Sequence, residues 1–206
     1  MGYAANARVT PIRRQQVDDE RQRQRFMEIV APQLDDALGL ARWLTGNRAD
    51  AEDIVQEAAI RALRALHSFE GVNARAWVLA IVRNTALTWM TKNRTNLVIL
   101  TDDMAPAGRE ERDGGADPEA AVIAKADAAM VRKGIAALPL KLREMIVLRE
   151  IEHLSYQEIA QVTGVPVGTV MSRLSRAREK LAVVLCDDGA AAAGAGARLR
   201  IVEGKP

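Results

Sequence analysis

The chain is 206 residues long and carries 29 Lys or Arg against 27 Asp or Glu, a formal net charge of +2 that gives no overall signal for a nucleic-acid binder. Hydrophobic residues make up 49%, but 36 residues are Ala and only seven are aromatic, which disfavours a β-sandwich and suits helices built from Ala, Leu, Arg, Gln and Glu. Cys186 has no disulfide partner, it and His67 and His153 lack zinc-site spacing, and no apolar run approaches the roughly 18 residues of a membrane span. The expectation is a cytoplasmic protein with no metal, no cofactor and no direct membrane insertion.

Residues 1–25 form a polar, Arg-rich extension without an apolar centre. From there the apolar pattern is helical. Phe26, Ile29, Val30, Leu34, Ala37, Leu38 and Ala41 recur at three and four, as do Ala51, Ile54, Val55, Ala58, Ala62 and Leu66. A third stripe runs through Val78, Ile81, Val82, Ala86 and Trp89. Thr45-Gly46-Asn47 divides the first helix from the second, whose N-cap is placed at Asp50, and Ser68 to Asn73, around Gly71, divides the second from the third. A helical domain over 26–95 results. Residues 96–121, with Pro106, Gly108, Gly114, Gly115 and Pro118 among few apolar residues, read as a linker.

Beyond the linker, Ala121 to Ala137 reads as helix, Leu138-Pro139 stops it, and Lys141 to Ile151 starts another. Ser155 and Glu158 make a capping box for a short helix bearing Ile159, Ala160 and Val162. Gly164 ends that helix, and Pro166 sits where the first turn of the next should begin. Two short helices joined by a tight Gly turn are the helix-turn-helix signature. The expected fold is all-α: two small helical domains joined by a flexible acidic linker, the second (122–186) a helix-turn-helix, followed by a disordered Ala/Gly-rich tail over 187–206.

Charge is informative when counted by segment. Residues 50–57 carry four acids and no base, and residues 72–94 carry four bases and no acid. Residues 95–121 hold seven acids against Arg109 and Arg112, whereas 166–181 hold Arg173, Arg176, Arg178 and Lys180 against Glu179. In the helix-turn-helix, Val170 and Leu174 form the inner face of the second helix while Thr169, Ser172, Arg173 and Arg176 face outward, suited to base edges and phosphates in a major groove. The bland alternative is a helical hairpin with a solvated basic face. The acids Asp50, Glu52, Asp53 and Glu57 fit a solvated helical face better than a metal or acid/base site, because no His lies near. Arg75, Trp77, Arg83 and Lys92 interleave cations with aromatics as single-stranded nucleic acid requires; Trp89 lies on the core stripe, and Trp77 stays open between core and base stacking.

The order of an acidic DAEDIVQE helix, a Trp-bearing basic helix, an acidic linker and a C-terminal helix-turn-helix resembles the extracytoplasmic-function (ECF) sigma factors of bacterial RNA polymerase, of the sigma-70 family. The resemblance covers about 26–184. LTGNRADAEDIVQEAAIRAL is similar to the polymerase-binding segment of the first domain and ARAWVLAIVRNTALTWM to its promoter-melting segment, while LPLKLREMIVLREIEHLSYQEIAQVTGVPVGTVMSRLSRAREKL covers the second.

The resemblance implies that Asp50, Glu52, Asp53, Gln56 and Glu57 dock on the β′ coiled coil of core polymerase, with the β flap a further contact, against the solvated-face reading. It implies that a non-template base is taken from the stack, at a few kcal/mol per step, into the loop Ser68 to Arg75, where Phe69 and Asn73 are the pocket candidates. Arg83 and Asn84, with Arg75 and Trp77 nearby, would hold the separating strands at the minus-ten element, and Lys92 and Arg94 would contact phosphate. Val167, Thr169, Met171, Ser172, Arg173, Ser175 and Arg176 would face the minus-thirty-five duplex, with Arg178 toward its backbone. Met171 and Ser175 stand where some members carry basic or aromatic side chains, and Met cannot make an Arg–guanine pair, typically worth about 1–3 kcal/mol. The partners implied are core polymerase, promoter DNA and an anti-sigma factor, with no small-molecule substrate and no catalysis of its own. Cys186 reads as a passive small apolar residue, with a redox switch as the alternative. Two rivals remain at this level: a helix-turn-helix regulator binding duplex operator DNA as a dimer, and a metal-dependent enzyme using the carboxylates of 50–57.

Overall fold

A computed structural model describes residues 11–93 and 118–191, with side chains over 19–93 and 127–186. The described residues are helical, with no strand among them. Helix α1 (Pro11–Ile29) and α2 (Leu34–Thr45) share the first apolar stripe, which Pro32 splits by forcing a 3-10 turn over Ala31–Gln33. Gly46, in the left-handed region at φ 71°, closes α2 by donating its N–H to the Arg42 carbonyl. That turn leaves Asn47 extended, and its side chain accepts from the backbone N–H of Ala49 at 2.8 Å and of Asp50 at 3.3 Å. The N-cap of α3 (Arg48–Ala65) is therefore Asn47, and Asp50, expected there, lies in the first turn of the helix. Asn73 caps α4 (Ala74–Lys92) in the same way, accepting from Ala76 N–H at 2.9 Å.

Helices α2, α3 and α4 pack in pairs around Leu40, Leu44, Ile54, Leu66 and Leu79, all buried. Ala37, Ala41, Ala51, Ala58, Ala62, Ala76 and Ala86 are buried among them, so part of the alanine excess serves close helix approach.

The second unit begins with α5 (Pro118–Ala137), so the last four residues assigned to the linker, 118–121, already belong to a helix; 96–117 lie outside the described residues. The helix expected over 141–151 is two elements, α6 (Leu140–Ile146) and a π turn over Val147–Ile151. Glu152 N–H closes the turn on Val147, and His153, at φ 54°, swings the chain toward α7 (Tyr156–Thr163). The capping box holds in both directions, Glu158 N–H to Ser155 Oγ at 3.2 Å and Ser155 N–H to Glu158 Oε2 at 2.7 Å. Gly164, at φ 69°, makes the turn to α8 (Val167–Ala191). Pro166 precedes α8 by one residue instead of entering its first turn, its carbonyl accepting from Thr169 and Val170. The backbone of α8 runs on through 187–191, where a disordered tail was expected; 192–206 lie outside the described residues.

Met145, Leu148, Leu154, Ile159, Val170 and Leu174 are the second unit's share of a core continuous with that of the first, and α5 lies along α8 so closely that a Cβ on Gly134 would meet Leu181 Cδ1 at 2.9 Å. The two units also pack on each other, α4 against α7 and α2 against α6. No helix among the described residues is long and apolar enough to cross a membrane.

Candidate nucleic-acid interface

Three surfaces carry the charged residues. On α3, Asp53, Gln56 and Glu57 are exposed, while Asp50 and Glu52 are half-buried. Burial, then the neighbouring Asp53, raises the Asp50 carboxyl; the hydrogen bond from Arg61, at 2.8 Å, lowers that of Glu57. Glu52 is paired with Arg48 at 2.8 Å. The face continues into exposed Ile60 and Leu63, three and four residues apart in helical spacing from Gln56 and Glu57 onward. Charge counting passes over these two, because an apolar residue on a helix is read as core.

The second surface is the loop before α4. Gly71, at φ 92°, carries a tight turn, and Val72 beside it is 97% exposed. The rings of Phe69 and Trp77 meet at 5.0 Å between centroids, tilted by 41°. They line a cavity of about 310 Å³ with Val72 and Asn73, and Gln161 of α7 reaches its edge. Trp77 packs against the core and also lines the cavity. Asn73 spends its carbonyl on the cap of α4 and its amide on Glu158 Oε1 at 2.8 Å.

Along α4, Arg75 donates to Asp36 at 2.5 Å, to the Glu152 carboxylate at 2.8 Å and to the Glu152 carbonyl at 2.7 Å. Arg83 forks onto Glu144 at 2.9 and 3.3 Å and also reaches Asn84 Oδ1 at 3.2 Å. Asn84 and Lys92 are exposed, and Arg94 lies outside the described residues. Burial, followed by the charge of Asp36, pushes the Glu152 carboxyl up to about 7 against the pull of Arg75. The charge pattern of α4 alone does not point to Asp36, Glu144 and Glu152 as partners of its arginines, or to Glu158 as the partner of Asn73.

The third surface is α8. Val170, Leu174 and Ala177 are buried, so the helix faces inward as its pattern requires. Val167, Met171, Ser172, Ser175 and Arg176 are exposed, and Thr169 is half-buried. Ser172 Oγ donates to the Thr169 carbonyl, and Ser175 Oγ to Glu179. Arg173 turns partly inward, 3.9 Å from Glu144, and Arg178 pairs with Glu150 at 2.7 Å. The helix thus leaves Arg176 as a cation with no ion pair among the described residues.

Such an arrangement, two helical units with a basic α4 in the first and a helix-turn-helix in the second, matches two family models: sigma-70 region 2 over residues 29–95 and sigma-70 region 4 over 128–181. The class is that of the sigma-70 transcription-initiation factors. The ECF RNA polymerase sigma-E factor of Escherichia coli K12 is 39% identical over 137 residues, covering 64% of this chain and 72% of the relative. That of Haemophilus influenzae is 38% identical over 148 residues, covering 69% and 77%. Two solved structures share the fold: the sigma factor RpoE with the anti-sigma factor NepR from Bartonella quintana (28% identity, TM-score 0.60, 79% of this chain and 98% of that one), and CnrH with the cytosolic domain of CnrY (27%, 0.56, 79% and 88%). The chain belongs to the ECF sigma factors, proteins that bind core RNA polymerase and direct promoter-specific initiation.

Proposed function

We propose the following division of labour. Residues 26–95 bind core polymerase and open the minus-ten element; residues 122–186 read the minus-thirty-five element. The exposed carboxylates Asp53 and Glu57, with Asp50, Glu52 and Gln56, meet basic residues of the β′ coiled coil, and α8's unit meets the β flap. Phe69, Asn73 and Trp77 hold a base removed from the stack in the cavity of about 310 Å³, the lower end of the size that takes drug-sized ligands. Arg75, Arg83 and Asn84 hold the separating strand, with Lys92 and Arg94 on phosphate. Val167, Thr169, Met171, Ser172, Arg173, Ser175 and Arg176 approach duplex DNA, Arg178 its backbone. The protein turns over no substrate and works in the cytoplasm with the polymerase. Its control falls to an anti-sigma factor, a reading supported by the likeness to the sigma factor RpoE in complex with the anti-sigma factor NepR.

The observation that carries this reading is the ring-lined cavity at the head of the basic helix, on the same unit as the exposed acidic face of α3. Run-off transcription with purified core enzyme tests it. Asp53→Ala with Glu57→Ala should abolish transcription and core binding while leaving duplex binding by the helix-turn-helix intact. Transcription unaffected by this pair would refute the assignment.

A further inference from the structure

The contact between the two units falls on the residues assigned to the minus-ten strand. Asn73 meets Glu158, Arg75 meets Glu152, and Arg83 meets Glu144, each within 2.9 Å. Gln161 borders the cavity beside Phe69 and Trp77. All four partners come from the helix-turn-helix unit, and Glu144 is 1% exposed. A carboxylate offers an arginine fork the same paired acceptor oxygens that a phosphate does. Arg75 and Arg83 are eight residues apart on α4, about 12 Å along the helix. That is roughly the rise of three to four stacked nucleotides of one strand.

We propose that the helix-turn-helix unit masks the minus-ten surface from within the chain: Glu144, Glu152 and Glu158 occupy the acceptor positions of the promoter strand, which binds only once the two units part. This rests on the assignment of Asn73, Arg75 and Arg83 to that strand. Two occupants of one set of donors exclude each other, so strand binding and the closed packing are linked with opposite sign. The free chain's affinity is reduced by the fraction of molecules that are open. Glu144 also lies 3.9 Å from Arg173 of α8, within its own unit, so parting the units releases Arg83 on α4 while Glu144 keeps a cation beside it.

The test uses the full chain carrying Glu144→Gln and Glu158→Gln. Gln at 158 keeps the capping box, and both changes keep side-chain shape. A control chain with Asp19→Asn and Glu20→Gln, both exposed on α1, makes the same change in net charge far from the contact. Binding of a short single-stranded DNA of mixed sequence is measured by fluorescence anisotropy, and the radius of gyration by small-angle X-ray scattering. Masking predicts about tenfold tighter binding for the first variant than for the control, a larger radius for it, and expansion of the parent chain when DNA saturates it. Equal affinity in the two variants, or DNA bound at the radius of the free parent, would overturn it. Open-complex formation by holoenzyme carrying Arg75→Ala and Arg83→Ala tests the underlying assignment separately. Loss there with no gain in the glutamine variant would sink masking alone, whereas full activity there would sink the assignment.

Discussion

Replacing Glu144 by Gln is the sharpest perturbation of the contact between the units. The carboxylate is 1% exposed, accepts two bonds from Arg83 at 2.9 and 3.3 Å, and lies 3.9 Å from Arg173. Removing one partner of a fully buried pair costs about 3–5 kcal/mol, because the remaining charge is left uncompensated. Here the two guanidinium groups keep some water, with side chains 14% and 23% exposed, and Gln still offers one acceptor oxygen. We therefore expect about 2 kcal/mol of lost stability, or about 4–8 °C in melting temperature for a chain of this size. Thermal unfolding followed by circular dichroism measures it. Adding Arg83→Met removes the stranded cation, and the double-mutant cycle should return about 1–3 kcal/mol of coupling. A melting temperature unchanged by Glu144→Gln, or two additive single effects, would refute the view that this carboxylate holds the units together.

Glu152 gives the packing a pH dependence of unusual sign for a carboxylate. Its pKa is raised from 4.5 to about 7, chiefly by burial, with Asp36 of α2 adding to the shift and Arg75 of α4 opposing it. Its stabilising contribution is thus fully present below pH 4.5 and lost as pH rises through about 7, at most about 3 kcal/mol in all. Urea midpoints of the parent should fall relative to those of Glu152→Gln between pH 5 and pH 8; parallel profiles would contradict this. Asn47→Ala removes the acceptor for two backbone N–H groups and should cost about 1 kcal/mol in chemical denaturation, while Asp50→Ala should cost less. Arg176→Ala should leave the melting temperature unchanged, and in filter binding to promoter duplex it should weaken affinity and lower the salt slope by about one. An unaltered slope would remove Arg176 from the phosphate-contacting set.

Much of the fold was legible because it follows from local rules. Ser155 and Glu158 are three residues apart, Gly164 needs only its own φ, and the inward face of α8 follows from helical spacing of Val170, Leu174 and Ala177. Asn47 was misplaced because both it and Asp50 are good caps, and the choice is made by the left-handed Gly46, which leaves Asn47 extended. The π turn at 147–151 has no periodic signature, since its apolar residues continue the pattern of α6. Pairs such as Asn73–Glu158, 85 positions apart, and Arg83–Glu144, 61 apart, depend on how one unit lies on the other. No pattern within a helix predicts them.

Those long-range pairs also change what segregated charge means in this chain. The near-neutral total conceals an acidic face on α3, a basic α4 and a basic α8. The unit containing α8 carries an excess of cations on its outer helix, yet presents Glu144, Glu152 and Glu158 to α4. It can therefore face a duplex with one side and a basic helix with the other. Arg173 sits between the two, close enough to Glu144 to share its charge with Arg83 and on the helix proposed to enter the groove. Drawing the units apart takes Arg83 from that buried carboxylate and leaves it with unmet hydrogen-bond donors, while Glu144 stays beside Arg173 in its own unit. A phosphate of the proposed minus-ten strand would return an acceptor to Arg83, so that strand's binding would offset the cost of separating the units.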